Sequence, residues 1–477
     1  MSTAVVDARF RARRAQNWLL LGVLYALFYM SRYNYSATSA YLASVFGWRN
    51  SELGVFETVM PLVYGLSVVL NGPVADRIGG KRAFLIGTVG AIAMNLLFGA
   101  TAFLVIHPAA WEGVGAARHV VEPVALAAGL TSRSLLTLMA SIWAVNGFFQ
   151  SFGALSIVKV NAHWFTITER GTFAGIFGVL IRFGLILAFS GTPLIIKWLP
   201  WQWAFWVPAG LLTIFFFANL LFMENSPEDA GLGTLETGDA SDDGEGPARV
   251  SVILAKVFAN RVTWSIAFAS MCIGFVRRSV VDAWYPKYFV DVFGADSRNL
   301  GAFVPYEIAA WGIAIAGILG GFAFGIASDR AFQGRRGPVI TIGFCGMALA
   351  LGLFGVSSRL QLGPYAAASM LVFLSFFVNG AHGMIGGAAS MDFGGKKGAA
   401  TAAGLFDGMQ YVAGSFVGYG MGRMLDAYGW GLWTWSVLPF ALVGIAIGAS
   451  LWNTLPRRRA MPSSSAASGP LAVPKGA

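Results

Sequence analysis

Charge is scarce in this chain. Of its 477 residues only 12% are Asp, Glu, Lys or Arg, where a soluble protein carries about 25%. That deficit, with 56% hydrophobic residues and 60 glycines, excludes an ordinary water-soluble globule and points to lipid as the solvent. Small residues let membrane helices approach closely. Cysteine is nearly absent. Cys272 and Cys345 stand far apart in apolar runs, so neither a disulfide framework nor a thiolate metal site follows. The four histidines, His107, His119, His163 and His382, form no ligand motif such as HExxH, and no metal or other cofactor is expected. No nucleophile–base–orienter set and no phosphate-cradling glycine loop is evident, which argues against an enzyme.

The charge that is present is unbalanced, with a formal net charge of +10. Its placement excludes nucleic acid as the reason. The basic clusters are Arg9, Arg11, Arg13 and Arg14; Lys81 and Arg82; Arg335 and Arg336; Lys396 and Lys397; and Arg457, Arg458 and Arg459. Each flanks an apolar run, as the positive-inside rule requires of cytoplasmic loops. The basic N-terminus is not read as a cleavable signal, because the apolar stretch from Trp18 is long and is interrupted by Arg32 rather than by a small-residue cleavage site.

A spanning helix needs about 20 apolar residues. Windows of that size give about twelve spans: 17–43, 54–75, 83–106, 135–160, 170–196 and 202–223, then 260–290, 302–328, 338–357, 364–390, 398–424 and 430–453. The expected fold is therefore an all-α polytopic membrane protein of two pseudo-symmetric six-helix bundles. The first bundle is expected over 1–223 and the second over 258–456. A flexible cytoplasmic linker, rich in Glu, Asp, Gly, Ser and Thr, is expected over 224–257, and a Ser/Ala/Pro tail over 457–477. An even number of spans puts both termini on one side, and their arginines make that side the cytoplasm of an inner membrane. The 107–133 segment reads as a long external loop with no assignable role.

The halves repeat. GPVADRIGGKR, from Gly72 to Arg82, follows the second span, and GIASDRAFQGRR, from Gly325 to Arg336, follows the eighth. Both place Gly, three residues, Asp-Arg and then a basic cluster. Asp76–Arg77 and Asp329–Arg330 read as charge latches at the cytoplasmic boundary. The motif resembles the loop signature of the major facilitator superfamily, and two copies at equivalent places imply a transporter fold of two repeated halves.

Several ionisable groups fall inside the spans. A charge at the bilayer centre costs about 2.5–3.5 kcal/mol on insertion scales, and such residues mark sites by default. Fourteen residues, about 21 Å of helix, separate Trp18 from Arg32, which carries Arg32 past the midplane of a hydrocarbon core about 30 Å thick. Arg277 and Arg278 lie at nearly the same depth beyond Trp264 in the seventh span. One arginine from each half thus points at the pseudo-two-fold axis, where it can grip an anion with two parallel hydrogen bonds. The competing reading is internal salt bridging with Glu57, Asp282 or Glu307. Adjacent helix positions diverge by about 100°, so only one of Arg277 and Arg278 can point straight into the site. Arg182 in the fifth span is open between a site role and a packing role. Tyr25 and Tyr29 share a face with Arg32, which suits oxyanion binding as well as packing. Gln150 and His382 are open between substrate contact and helix–helix hydrogen bonding.

At these residues the chain resembles the organophosphate:phosphate antiporter family of glycerol-3-phosphate, hexose-6-phosphate and phosphoglycerate transporters. YALFYMSRYNYS resembles its first helix, FVRRSVVDAWYPKYF its seventh, NGFFQSFG its fourth and PYEIAAWGIAIAG, with Glu307, its eighth. GKKGAATAAGLFDGMQYVAGSFVGYGMGRMLDAYGW resembles its tenth-to-eleventh loop and eleventh helix. The resemblance implies Arg32 and Arg277 as the phosphate-binding pair, with Tyr25 and Tyr29 beside them. Two family positions depart: Val68 stands where glycerol-phosphate members have a lysine, and Ile181, beside Arg182, where they have a histidine. The implied function is exchange of an organophosphate for inorganic phosphate by alternating access, in a monomer bathed in lipid. Two alternatives stay open. One is a proton-coupled sugar-acid symporter using Glu57 or Glu307, and the other a sugar-phosphate sensor without net transport.

Overall fold

The computed structural model describes residues 7–104, 132–236, 259 and 261–454. Most of the 107–133 segment, the linker beyond 236 and the 457–477 tail lie outside the described residues, as does the side chain of Asp76.

Twelve helical rods follow one another. They are α1 (Ala8–Phe46), α2 (Asn50–Ile78), α3 (Gly80–Ala100), α4 (Ser132–Trp164), α5 (Ile167–Ile186), α6 (Trp203–Phe222), α7 (Arg261–Val276), α8 (Val304–Ile326), α9 (Arg336–Arg359), α10 (Pro364–Gly383), α11 (Ser390–Tyr428) and α12 (Trp433–Ser450). Four carry π-helical turns. Leu187–Gly191 joins α5 to Thr192–Trp198, Arg277–Ala283 joins α7 to Tyr285–Phe293, Ala327–Ala331 extends α8, and Met384–Ala389 extends α10. Among the described residues, ten helices are long and apolar enough to cross a membrane; α1 and α11 are not among them. These two carry Arg32, Gln410 and Tyr411. The connection expected near 391–397 is helical instead, since α11 begins at Ser390. No proline interrupts that stretch, so no backbone donor is missing.

Local chemistry sets the ends. Asp7 caps α1 by accepting from the Phe10 N–H at 2.7 Å, and Gly47, at φ +68°, terminates it in the left-handed region that glycine adopts freely. Thr166 and Glu169 form a capping box at the start of α5. The Glu169 carboxylate accepts from the Thr166 N–H at 3.1 Å and from its hydroxyl at 2.9 Å. Arg14 of α1 pairs with it at 3.1 Å.

Within the first six rods, α1 packs on α4, α5 and α6, while α4 also packs on α2 and α3. Within the last six, α7 packs on α11 and α12, α8 on α10, and α9 on α10 and α12. Three seams cross between the halves: α2 with α11, α5 with α8, and α1 with the Tyr285–Phe293 helix that follows α7. The first two are the pair that a two-fold axis between parallel six-helix repeats exchanges.

The α2–α11 seam tapers. A Cβ placed on Gly418 would lie 2.5 Å from the Thr58 nitrogen, and one on Gly65 would lie 3.0 Å from the Tyr411 Cβ. One on Gly408 would find its nearest neighbour at 3.8 Å, and Gly72 and Gly404 would meet nothing within 4 Å. The helices therefore touch backbone to backbone at the end where α1 passes into α2 and α11 into α12, and diverge toward the other. Asp426 of α11 strengthens the closed end by accepting from the Asn50 and Ser51 N–H groups at 3.0 and 2.9 Å. These are unsatisfied donors of α2's first turn. Thr58 Oγ1 accepts from the Tyr419 N–H at 2.7 Å. On the α5–α8 seam Ser190 donates to Glu307 at 2.8 Å.

Two outcomes follow. Gly418→Leu should separate α2 from α11 and lower the melting temperature of the detergent-solubilised protein by several degrees, whereas Gly404→Leu should leave it unchanged. Burial opposes the charge of Glu169, but its hydrogen bonds to Thr166 and the Arg14 guanidinium outweigh burial and hold the carboxyl below its ordinary range. A depressed carboxyl contributes stability above its unfolded value, and that contribution is lost as pH falls through the folded one. Glu169→Gln should therefore cost about 0.5–2 kcal/mol at pH 7, with the gap from wild type closing below about pH 4.3 in melts across pH.

Candidate functional site

The centre of the molecule is where buried guanidinium groups meet. Arg32, in the middle of α1, is buried and has no carboxylate within ion-pair distance among the described residues. Its partners are neutral. Nε and Nη2 donate to Gln150 Oε1 of α4 at 3.4 and 3.3 Å, and Nη1 donates to the Tyr411 hydroxyl of α11 at 3.4 Å. The Gln150 amide is oriented by donating to Ser31 Oγ at 2.9 Å. The guanidinium carbon lies 4.9 Å from the Tyr29 ring centre and 4.4 Å from that of Tyr64 on α2. A desolvated cation–π contact contributes about 2 kcal/mol. Two rings thus offset the insertion cost that the missing carboxylate leaves open.

Arg277 sits where the π-helical turn begins. Such a turn links residue i with i+5, and Asp282 is that residue. Its Oδ2 lies 2.9 Å from Arg277 Nε. The Nε–H is not aimed at the oxygen, so the contact is electrostatic rather than a directed hydrogen bond. Tyr33 of α1 donates to the same carboxylate at 3.3 Å. Arg277 Nη1 donates to Gln410 Oε1 at 3.5 Å, and the Gln410 amide lies 3.2 Å from His382 Nδ1. With that amide as donor, Nδ1 accepts and the ring proton sits on Nε2.

Gln410 and Tyr411 are consecutive residues on α11, and they hold Arg277 and Arg32 respectively. The arginines of the two repeats are thus joined through one turn of one helix. Arg182 lies at the edge of this group. Its Nη2 donates to Asn379 Oδ1 of α10 at 2.5 Å, one turn before His382. A Cβ at Gly317 would lie 3.0 Å from the Arg182 guanidinium carbon, so the glycine leaves that side chain its room.

Arg278 goes elsewhere. Its Nη2 lies 2.5 Å from Glu57 Oε2 of α2, and it is engaged by that carboxylate rather than turned toward the other arginines. The internal salt bridging weighed from the sequence is therefore present for Arg277 and Arg278 and absent for Arg32. Tyr25 stacks edge-on against Tyr29 at 5.3 Å and fills the space that Gly153 leaves; it supports Tyr29 from behind. Glu307 bonds Ser190 and Trp311, away from the arginines. Asp329 pairs with Arg336 at 3.0 Å, while Arg77 and Arg330 are exposed.

Gln410, Tyr411, Tyr64 and Asn379 were not singled out in the sequence. Gln410 and Asn379 carried the same signal as Gln150, an amide inside an apolar run. The two tyrosines carried none, because only the seam brings their rings to Arg32. Four arginines, 32, 182, 277 and 278, face Glu57, Asp282 and the half-buried Asp407. The balance is positive, and a small anion with two or three oxygen acceptors is its chemical complement.

The family profile described as Major Facilitator Superfamily matches residues 21–419. The chain is 28% identical over 461 residues to the glycerol-3-phosphate transporter of Bacillus subtilis (strain 168), covering 94% of each. It is 26% identical over 464 residues to the membrane sensor protein UhpC of Salmonella typhimurium (strain LT2), covering 94% of this chain and 93% of that one. It is 26% identical over 455 residues to the hexose-6-phosphate:phosphate antiporter of the same organism, covering 91% and 88%. A solved bacterial homologue of the human lysosomal transporter Spinster, captured inward-facing and unoccupied, superposes with a TM-score of 0.64 at 13% identity, covering 92% of this chain and 96% of that one. That likeness concerns the fold.

Arg32→Lys keeps the charge but loses the planar fork. A small oxyanion held by the fork should then bind about 2 kcal/mol, roughly 30-fold, more weakly, measured with inorganic phosphate as the probe in thermal-shift titrations.

Proposed function

The chain belongs to the major facilitator superfamily, and from that premise we propose that it exchanges an organophosphate for inorganic phosphate across the inner membrane by alternating access. The supporting observation is the joining of Arg32 and Arg277, one from each repeat, through Gln410 and Tyr411. A phosphate there replaces weak neutral contacts longer than 3.2 Å with charge-assisted ones. The glycerol-3-phosphate and hexose-phosphate relatives favour the same substrate class. The first bundle, 1–223, and the second, 258–456, rock about this point, with 224–257 as a cytoplasmic tether. With both termini cytoplasmic, the closed α2–α11 end faces outward and the site opens inward.

Chemically, the empty site is cationic and resists passage through the closed intermediate, because desolvating unmatched charge is costly. A bound phosphate neutralises it, so reorientation follows occupancy and exchange follows from that. Tyr29, Tyr64 and Tyr411 supply a wall of rings and hydroxyls that keeps the guanidinium groups in register. The sensor relative favours a second reading, in which the same grip binds a sugar phosphate without flux.

Proteoliposomes loaded with inorganic phosphate should take up labelled glycerol 3-phosphate or glucose 6-phosphate at least about tenfold faster than unloaded ones, and Arg32→Gln should abolish uptake. Uptake that ignores internal phosphate but follows an imposed pH gradient overturns the exchange. Binding by thermal shift without uptake supports the sensor.

A further inference from the structure

Around the arginines, three neutral amides are committed at both ends. The Gln150 amide donates to Ser31, the Gln410 amide to His382, and the Asn379 amide to the Ser375 carbonyl and hydroxyl, both at 2.9 Å. Each amide oxygen faces a guanidinium. Two groups are left over. Asp407 of α11 is half-buried and makes no hydrogen bond or ion pair among the described residues, whereas Asp282 and Glu57 each meet an arginine. His382 accepts from Gln410 at Nδ1, which leaves its Nε2–H without a partner among the described residues.

These two groups border one gap. A Cβ on Gly386, in the π-helical turn after α10, would lie 3.8 Å from Asp407 Oδ1 and 3.9 Å from His382 Cε1, so glycine leaves the space between them open. Asp407, Gln410 and Tyr411 share a face of α11 at spacings of three and four. The gap therefore lies about 4.5 Å along the helix from the level where Gln410 holds Arg277. It is on the side where the α2–α11 seam widens, since a Cβ on Gly404 would meet nothing within 4 Å. Arg277 and Tyr64 are within electrostatic reach of the carboxylate, which sets it between the bundles rather than toward lipid.

We propose that Asp407 and His382 form a hydroxyl-binding subsite, which takes the polyhydroxylated tail of a sugar phosphate whose phosphate sits on Arg32 and Arg277. The subsite deepens the exchange reading and rests on its anion site. An ionised carboxylate only accepts hydrogen bonds, and an imidazole N–H donates. Facing one gap, they suit hydroxyls, which do both. Vicinal hydroxyls can meet both carboxylate oxygens with charge-assisted bonds. A bare anion gains nothing here, because the Asp407 charge repels it. The subsite therefore separates the two exchange partners: the guanidinium groups bind both, and the tail alone marks the sugar phosphate. Glycerol 3-phosphate, with fewer hydroxyls, engages it less fully than glucose 6-phosphate.

The test is a set of thermal-shift titrations of the full chain with inorganic phosphate, glycerol 3-phosphate and glucose 6-phosphate. Asp407→Asn keeps the shape, removes the charge and turns one acceptor into a donor. Relative to inorganic phosphate, it should weaken glucose 6-phosphate at least about tenfold, with glycerol 3-phosphate in between. Inorganic phosphate itself should bind at least as tightly as before. Gly386→Val replaces no group that holds an arginine, and by filling the gap it should shift the same ratio in the same direction. This second variant decides the question alone if Asp407→Asn does not fold. A change shared equally by all three ligands overturns the subsite, because a purely electrostatic or structural role leaves the ratio unmoved. So does intact protein that binds glucose 6-phosphate no better than inorganic phosphate. The exchange reading fails separately: if proteoliposomes show no phosphate-stimulated uptake while the ratio moves as expected, the subsite stands in a protein that binds without exchange.

Discussion

A guanidinium buried halfway along a helix has to be partnered, and Arg32 is partnered without an acid among the described residues. Two tyrosine rings, one glutamine oxygen and one phenol hydroxyl surround it. Two of those four, Tyr64 and Tyr411, come from the α2–α11 seam. The cation is thus buried where the bundles meet, and its charge is left available for something that is not protein. The surrounding arrangement, with α11 close enough to offer Tyr411 and Gln410 to Tyr64 close enough to α11 to lie under the cation, is what this one side chain requires.

The other three arginines show how differently the same cost can be met. Arg277 finds Asp282 on its own chain because a π-helical turn brings i and i+5 together. Arg278, one residue on, finds Glu57 in the opposite bundle because Gly414 leaves it a path. Arg182 finds only an amide, Asn379, with Gly317 making room. Arg277 and Arg278 are neighbours in sequence, yet one is tied within its own bundle and the other across to the partner bundle.

Glycine does the complementary work. Along α2 and α11 the clearance falls from open space at Gly72 and Gly404 to backbone contact at Gly418. That taper closes the α2–α11 seam at one end and widens it toward the other. Backbone contact and the Asp426 cap on α2 are short-range and break over a small displacement. The buried Glu57–Arg278 pair acts over a longer range.

Twelve helical rods among the described residues, ten of them long and apolar enough to cross a membrane, and the repeated Asp-Arg motifs were legible in the sequence. Hydropathy, charge flanks and a rise of about 1.5 Å per residue are local properties that need no knowledge of neighbours. The break expected near 391–397 was not there, since the lysines and glycines that suggested it are tolerated in a helix without proline. What the tertiary structure alone decided was partnership. Asp282 and Glu57 were both candidate partners, but nothing in the spacing said which arginine each would take or that Arg32 would take none. Tyr64 and Tyr411 gave no signal at all. The Glu57–Arg278 and Tyr411–Arg32 contacts join residues 221 and 379 positions apart, and helical periodicity names the residues on a face without naming the face it meets.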